Sequence, residues 1–161
     1  MQTQQQRDTL AETNITAVDA AIDGKEVVIT DDSLIRVTNI SRVIRKLREA
    51  GAKKVHVRIG CPPVMGPCYL GIDMRSKLEF IAVDHEKNEP RSWDDIATSI
   101  GADSLGYSSL KALKSAIRGA NDDFDICTGC LDFPGGYPPD MRKEVEDLYN
   151  KSGDGMRAYE C

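Results

Sequence analysis

Glu26-Val27-Val28-Ile29-Thr30-Asp31-Asp32-Ser33-Leu34-Ile35-Arg36-Val37-Thr38-Asn39 is the stretch on which the reading of the whole chain turns. Val27-Val28-Ile29 is a short β-branched run, suited to a strand buried on both faces. Two acids, Asp31 and Asp32, follow it at once. From Ile40 the apolar positions Ile40, Val43, Ile44 and Leu47 fall at i, i+3, i+4 and i+7, which is one face of a helix. Arg42, Arg45, Lys46 and Arg48 fill most of the remainder; Thr38 or Asn39 can cap its start, and Gly51 can stop it. Val55, Val57 and Ile59 then alternate with His56 and Arg58, the period of a strand. Strand, helix and strand in this order make a βαβ unit over 26–60, with a right-handed crossover expected.

Outward from this unit the chain keeps an α/β pattern. Pro62-Pro63 ends the second strand, and Val64-Met65-Gly66-Pro67-Cys68 reads as an irregular loop. The charged run 84–91 reads as a solvated loop. Ser92 with Asp95 three residues on resembles a capping box; Trp93, Ile96 and Ile100 share a helical face, and Gly101 stops it. Ser104 to Tyr107 is a candidate strand, and Leu110, Leu113 and Ile117 predict a helix ending near Gly119. Met141, Val145 and Leu148 predict a last amphipathic helix beyond the Pro/Gly-rich segment 134–139, with a loose tail from Ser152. Before the βαβ unit, Leu10, Ile15, Val18 and Ile22 could line one helical face, closed by the turn Asp23-Gly24-Lys25.

Composition narrows the function classes. With 161 residues, 29% charged and 40% hydrophobic, the chain can bury one real core and is not a disordered tail. Lysine and arginine number 21 against 26 acids, a net charge of −5, which removes the globally basic surface that nucleic-acid binding uses most readily. Aromatics are 6% with one tryptophan, so stacking platforms for single strands are not expected either. No apolar run approaches the roughly 20 residues that span a bilayer. Met1-Gln2-Thr3-Gln4-Gln5-Gln6-Arg7 is polar and no secretory signal, so the cytoplasm is the expected location. Five cysteines, an odd count in a chain of this size, read as reduced thiols or as ligands of a metal or cluster.

In an open parallel sheet, ligands bind beyond the carboxyl ends of the strands. Asp31 and Asp32 stand at such an end, and a short loop leads from them to a helix N-terminus, whose free N–H groups favour an anion. Paired carboxylates receive sugar hydroxyls or a hydrated Mg²⁺ while the loop cradles phosphate, which suits a phosphorylated ribose. A solvent-exposed turn whose acids only cap and solubilise fits the spacing equally well.

Resemblance separates the two. The stretch resembles the phosphoribosyl pyrophosphate (PRPP) motif of type I phosphoribosyltransferases and, more narrowly, the C-terminal part of the amidophosphoribosyltransferase family, which opens purine synthesis. Lys46 to Ile59, Pro62-Pro63, Pro67-Cys68-Tyr69, Gly71-Ile72-Asp73-Met74, Ile100 to Tyr107 and Cys127-Thr128-Gly129-Cys130 follow in the family's order, so that the likeness covers most of 3–138. It implies an α/β fold: a partial type I phosphoribosyltransferase (Rossmann-like) domain over 1–120, with parallel strands and flanking helices. A C-terminal segment, 121–161, would carry Cys-x-x-Cys and the terminal helix. The implied activity is transfer of phosphoribosyl from PRPP to ammonia, giving 5-phosphoribosylamine and pyrophosphate. Asp31 and Asp32 would engage the ribose hydroxyls and the Mg²⁺ that travels with PRPP. Ser33, Arg36, Val37, Thr38 and Asn39 would take the place of the 5′-phosphate loop. No residue is assigned a catalytic role.

Two departures from the family pattern qualify the activity. The family's phosphate loop usually reads Arg-Gly-Thr-Thr, where this chain has Arg36-Val37-Thr38-Asn39. A valine forced to positive φ would cost about 1–3 kcal/mol, whereas at ordinary φ only its Cβ crowds the loop. The family's glutaminase domain, pyrophosphate loop and flexible catalytic loop have no counterpart, which implies the C-terminal third of the enzyme, inactive as an isolated chain. A separately encoded N-terminal glutaminase/transferase chain could complete it, in a homo-oligomer or hetero-complex. The alternatives are a half-domain that binds PRPP or a purine nucleotide without catalysis, and a non-functional remnant whose unpaired sheet edge drives association.

Cys127-x-x-Cys130 can place two thiolates on one metal, and the sequence after it does not begin a helix as a thioredoxin-type site would. By resemblance, Cys68, Cys127 and Cys130 match ligands of a [4Fe–4S] cluster held by some family members. Cys61 could stand in as a fourth ligand, and zinc suits the same spacing. Cys161 reads as a solvent-facing thiol. His56, on the other face of its strand, and His85, in a charged loop, read as structural.

Overall fold

The computed structural model describes residues 19–72, 74, 77–119 and 126–151. Leu10, Ile15, Val18, the tail from Ser152 and Cys161 lie outside them. The elements are α1 (Asp19–Ile22), β1 (Glu26–Asp31), α2 (Val37–Glu49), β2 (Lys54–Ile59), β3 (Val83–Asp84), β4 (Glu89–Pro90), α3 (Trp93–Ile100), β5 (Ser104–Tyr107), α4 (Leu110–Arg118) and α5 (Arg142–Lys151). A 3₁₀ turn occupies Lys77–Glu79.

The expected βαβ unit forms. β1 pairs parallel with β2 from Glu26 opposite Lys54 to Asp31 opposite Ile59, and β2 pairs parallel with β5 from His56 opposite Ser104 to Ile59 opposite Tyr107. The sheet order is β1-β2-β5, with β2 central. Val55 and Val57 are fully buried and Ile59 nearly so; they join Ile40 and Ile44 of α2, Ile96 and Ile100 of α3, and Leu105 and Tyr107 of β5 in one core. Both helices therefore cover the same face of the sheet, and the strand period of two sends apolar side chains toward them.

That arrangement corrects the expectation for β1. The strand is not buried on both faces: Val28 is 59% exposed, and only Val27 and Ile29 lean on the core. Among the described residues β1 has a neighbour on one side only and no layer over its second face. A β-branched run reports strand propensity, but the second layer that would bury it is a long-range feature that local composition does not encode.

The helix boundaries follow local chemistry with one shift. Ser92 caps α3 as predicted: its Oγ accepts the Asp95 N–H at 3.1 Å, and the Asp95 carboxylate takes the Ser92 hydroxyl at 2.7 Å in place of the backbone N–H of a capping box. Gly101 ends α3 in the left-handed region, φ 81°. Gly51, φ 89°, turns the chain after α2, and its carbonyl accepts the Gly24 N–H at 2.9 Å; a Cβ there would strike Asp23. α2, however, begins at Val37, ahead of both predicted caps. Arg36 is its N-cap residue, in extended conformation and with no side-chain bond to the first turn. The run 84–91 is exposed as expected, yet β3 and β4 pair antiparallel within it. Asp84 Oδ1 accepts the N–H groups of Glu86 and Lys87, and Asn88 takes φ 55°, the turn chemistry that closes the hairpin.

A second, smaller core joins Val64, Met74, Phe80 and Val83, with Ile35, Met65, Cys68, Cys130 and Leu131 packed against it. The segment from 126 onward is stapled here. Cys130 O accepts the N–H groups of Met65 (2.7 Å) and Gly66 (3.1 Å). Tyr137, 2% exposed, donates its hydroxyl proton to Pro67 O at 2.8 Å and accepts the Tyr69 N–H at 2.9 Å. The predicted helix around Met141, Val145 and Leu148 is α5, anchored by buried Val145. α4 forms where Leu110, Leu113 and Ile117 predicted it, but none of its residues is buried.

Candidate functional site

A cavity of about 340 Å³ opens beyond the carboxyl end of β1. Asp31, Ser33, Arg36, Asn39 and Glu79 supply its polar walls, over a floor of Leu34, Ile35, Ile40, Met74 and Phe80. Asp31 and Asp32 are set by backbone bonds rather than by packing. The Gly60 N–H donates to Asp31 O at 3.0 Å, and the Cys61 N–H donates to Asp32 O at 2.8 Å, so the end of β2 holds the strand-to-loop turn. Within the turn Asp31 Oδ1 accepts the Asp32 N–H at 2.9 Å, and Asp32 Oδ1 accepts from the Ser33 hydroxyl at 3.0 Å. Leu34 is buried and anchors the loop; the Ile81 N–H donates to Ile35 O at 3.0 Å.

Of the predicted residues, Asp31, Ser33, Arg36 and Asn39 line the cavity; Asp32, Val37 and Thr38 stand beside it without lining it. Val37 is the first residue of α2, with ordinary negative φ, since Asn88 is the only non-glycine residue at positive φ among the described residues. Valine in place of the family's glycine is therefore unstrained, and its side chain is 38% exposed. With no side-chain cap on α2, the N–H groups of its first turn remain available for an anion.

Sequence reasoning missed Glu79, Met74 and Phe80. Glu79 Oε2 lies 2.6 Å from Arg36 Nη2. No local spacing could join residues 43 positions apart, but the continuous apolar run Phe80-Ile81-Ala82-Val83, all buried, signals a segment passing through the interior.

The adjacent carboxylates of Asp31 and Asp32 are exposed oxygen donors of the kind that Mg²⁺ prefers, and they fit a metal that arrives with its ligand. Beyond the effect of burial, Cys68, Cys127 and Cys61 all lie near enough to Cys130 to raise its thiol. Among the described residues, no three His, Cys, Asp or Glu side chains are grouped to hold a metal. Cys61 packs against the first core, Cys68 and Cys130 against the second, and Cys127 is exposed. Burial pushes the Cys130 thiol up to about 11, helped by the neighbouring Cys68, and burial also raises Cys61, with Asp32 adding to it. Cys68 Sγ accepts the N–H groups of Leu70 and Ile72 at 3.4 and 3.5 Å. His56 does sit on the sheet face opposite the core, its Nδ1 2.8 Å from Ser104 Oγ, and His85 is exposed.

No family model matches the chain. Among curated proteins it is 40% identical over 147 residues to the amidophosphoribosyltransferase of Methanothermobacter thermautotrophicus, covering 91% of this chain and 29% of that protein. It is 39% identical over 132 residues to that of Bacillus subtilis, covering 81% and 26%. Among solved structures it matches the allosteric regulatory enzyme of purine biosynthesis with TM-score 0.59 and 35% identity, over 86% of this chain and 28% of that one. The glutamine PRPP amidotransferase of B. subtilis, complexed with ADP and GMP, matches with TM-score 0.59, 33% identity and 86% and 29% coverage. The chain thus spans less than a third of the length of these relatives. The relatives are amidophosphoribosyltransferases, the match agrees with their C-terminal phosphoribosyltransferase part, and the parallel sheet with flanking helices is that of the type I phosphoribosyltransferase fold.

Proposed function

Starting from that kinship, we propose that this chain is the portion of an amidophosphoribosyltransferase that holds the ribose-phosphate end of PRPP. The phosphoribosyl group passes to ammonia, giving 5-phosphoribosylamine for purine synthesis and releasing pyrophosphate. The observation that supports this reading is the cavity at the carboxyl end of β1, with Asp31 at one side and Arg36 beside the uncapped N-terminus of α2 at the other. Asp31 and Asp32 accept the ribose hydroxyls. Ser33, Arg36, Thr38, Asn39 and the backbone N–H of Val37 take the 5′-phosphate, using charge-assisted bonds and the positive end of the helix. Asp31 and Asp32 would also hold the Mg²⁺ that accompanies PRPP, which would supply positive charge to the pyrophosphate oxygens. This chain's own residues bind and orient, and none serves as acid or base, so their share of catalysis is positioning and electrostatics.

Ammonia supply and closure over the pyrophosphate belong, in this reading, to sequence beyond these 161 residues or to a partner chain within an oligomer. The 161 residues alone bind without turning over. Residues 1–120 form the partial transferase domain and 121–161 the C-terminal segment, whose Cys130 and Leu131 pack on a core built by Val64, Met74, Phe80 and Val83 of the first.

Calorimetric titration with PRPP·Mg²⁺ and with GMP tests the proposal, alongside an assay with ammonia as donor. Binding is expected for the 161-residue chain, and its loss in Asp31→Asn and in Asp32→Asn. A well-folded protein that binds neither ligand overturns the reading. Binding that never leads to turnover, even with a glutaminase-bearing chain added, replaces it with a binding half-domain.

A further inference from the structure

We propose that Glu79 is an internal competitor for Arg36: its carboxylate pairs with the guanidinium that an incoming phosphate ester must engage, and so sets the affinity of the site for anions. The inference rests on the phosphate-site reading above and assigns a specificity-determining role to a residue that reading did not include.

Three observations carry it. Arg36 Nη2 and Glu79 Oε2 are 2.6 Å apart, and both residues line the same cavity. Among the described residues lining it, Arg36 is the only cation, whereas Asp31 and Glu79 are both acids. A phosphate ester therefore finds the one attractive side chain already neutralised. Glu79 is also held in place. It closes the 3₁₀ turn Lys77–Glu79, precedes Phe80, which is 1% exposed, and is followed by Ile81, whose N–H donates to Ile35 O in the phosphate-side loop. The segment that presents the carboxylate and the loop that presents the guanidinium are thus joined by backbone.

The pair is not there for stability. Its side chains are 47% and 33% exposed, the range in which an ion pair contributes little to folding. Its effect falls on binding: a dianion must share the guanidinium with a fixed carboxylate, while a neutral sugar meets no such competition. Glu79 thereby penalises phosphate without penalising ribose.

Ribose 5-phosphate and free ribose, titrated calorimetrically into the full chain, test this with the variants Glu79→Gln, Glu79→Ala and Arg36→Met. Glu79→Gln keeps the shape and removes the charge, so ribose 5-phosphate should bind about two- to fivefold tighter, with ribose unchanged. Glu79→Ala should tighten it as well, and in an Arg36→Met background most of the gain should vanish. If the wild type binds ribose 5-phosphate and Glu79→Gln binds it equally or more weakly, the competitor role is refuted while the site reading stands. If no variant binds ribose 5-phosphate, with circular dichroism unchanged, both fall together.

Discussion

Replacing Tyr137 with phenylalanine tests whether protein contacts alone hold the C-terminal segment. The ring stays and only the hydroxyl goes, so packing against Tyr69 and Phe133 is preserved. What disappears is a two-way bridge: Pro67 O loses its donor and the Tyr69 N–H loses its acceptor, 70 and 68 residues away in sequence. Each bond is worth about 1 kcal/mol net, and a buried carbonyl left unpaired adds about 1–3 kcal/mol more. The Tyr69 N–H is only partly buried and recovers some loss from water, so about 2–3 kcal/mol is expected in total. For a chain of this size that is a fall in Tm of roughly 5–10 °C. Urea unfolding should be followed by circular dichroism and by Trp93 fluorescence, since Trp93 stacks on Tyr107 in the first core and reports on it separately. The protein should be stripped of metal and assayed for iron and zinc beforehand. A loss below about 0.5 kcal/mol would refute the staple. A wild type that unfolds on metal removal would show that a metal on the cysteines, of which no three are grouped among the described residues, holds the segment as well.

Two further changes have clear signs. Val37→Gly removes no strain, because Val37 already has helical φ, so phosphate affinity should change by less than about threefold. The substitution should instead cost about 0.5–1 kcal/mol of stability as glycine enters the first turn of α2, read from urea midpoints; a large gain in affinity would show that crowding by the Cβ had closed the phosphate loop. Asp103 supplies a pH signature. The Val55 N–H, at 2.7 Å, and then Arg48, at 2.6 Å, hold its carboxyl below the usual aspartate value. The folded value is the depressed one, so this stability is present above the unfolded aspartate value and is lost as pH falls through the folded one, below about pH 4. The stability difference between wild type and Asp103→Asn should be flat from pH 5 to pH 7, on the order of 1–2 kcal/mol, and shrink in acid; a difference independent of pH down to about pH 2 would refute the assignment.

How much of this was legible beforehand follows from the range of each interaction. The βαβ unit was, because a helical face at Ile40, Val43, Ile44 and Leu47 and an alternating strand at Val55, Val57 and Ile59 are periodicities within one element. The cap at Ser92 was too, since both partners lie within one turn. The burial of β1 was not, because Val28 has the same side chain whether or not a second layer covers it. The start of α2 was misplaced because Thr38 and Asn39 are good caps in isolation, yet Arg36 takes the cap position in extended conformation without bonding the first turn. In the site, Asp31, Ser33, Arg36 and Asn39 were readable from one contiguous motif. Glu79 was not, since it arrives from a different segment through a contact that only the fold creates.

The two ends of the site draw on the two cores unequally, and this links its stability to its chemistry. Asp31 and Asp32 are fixed by N–H groups of Gly60 and Cys61, at the end of a strand whose buried side chains belong to the first core. The loop leading to Arg36 is fixed through Leu34, in the first core, and through Ile35, which packs on the second core and whose carbonyl accepts from Ile81. A ligand spanning from Asp31 to Arg36 therefore leans on the first core throughout, through Leu34 and Ile40, and on the second core at the Arg36 end only. Loosening the second core alone should weaken the grip on phosphate while leaving the acids and the βαβ sheet in place. Tyr137→Phe accordingly carries a second expectation: affinity for ribose 5-phosphate should fall well below the denaturant concentration at which Trp93 reports unfolding. Coincident loss of the two signals would mean that the cores melt as one unit and that the site has no separable halves.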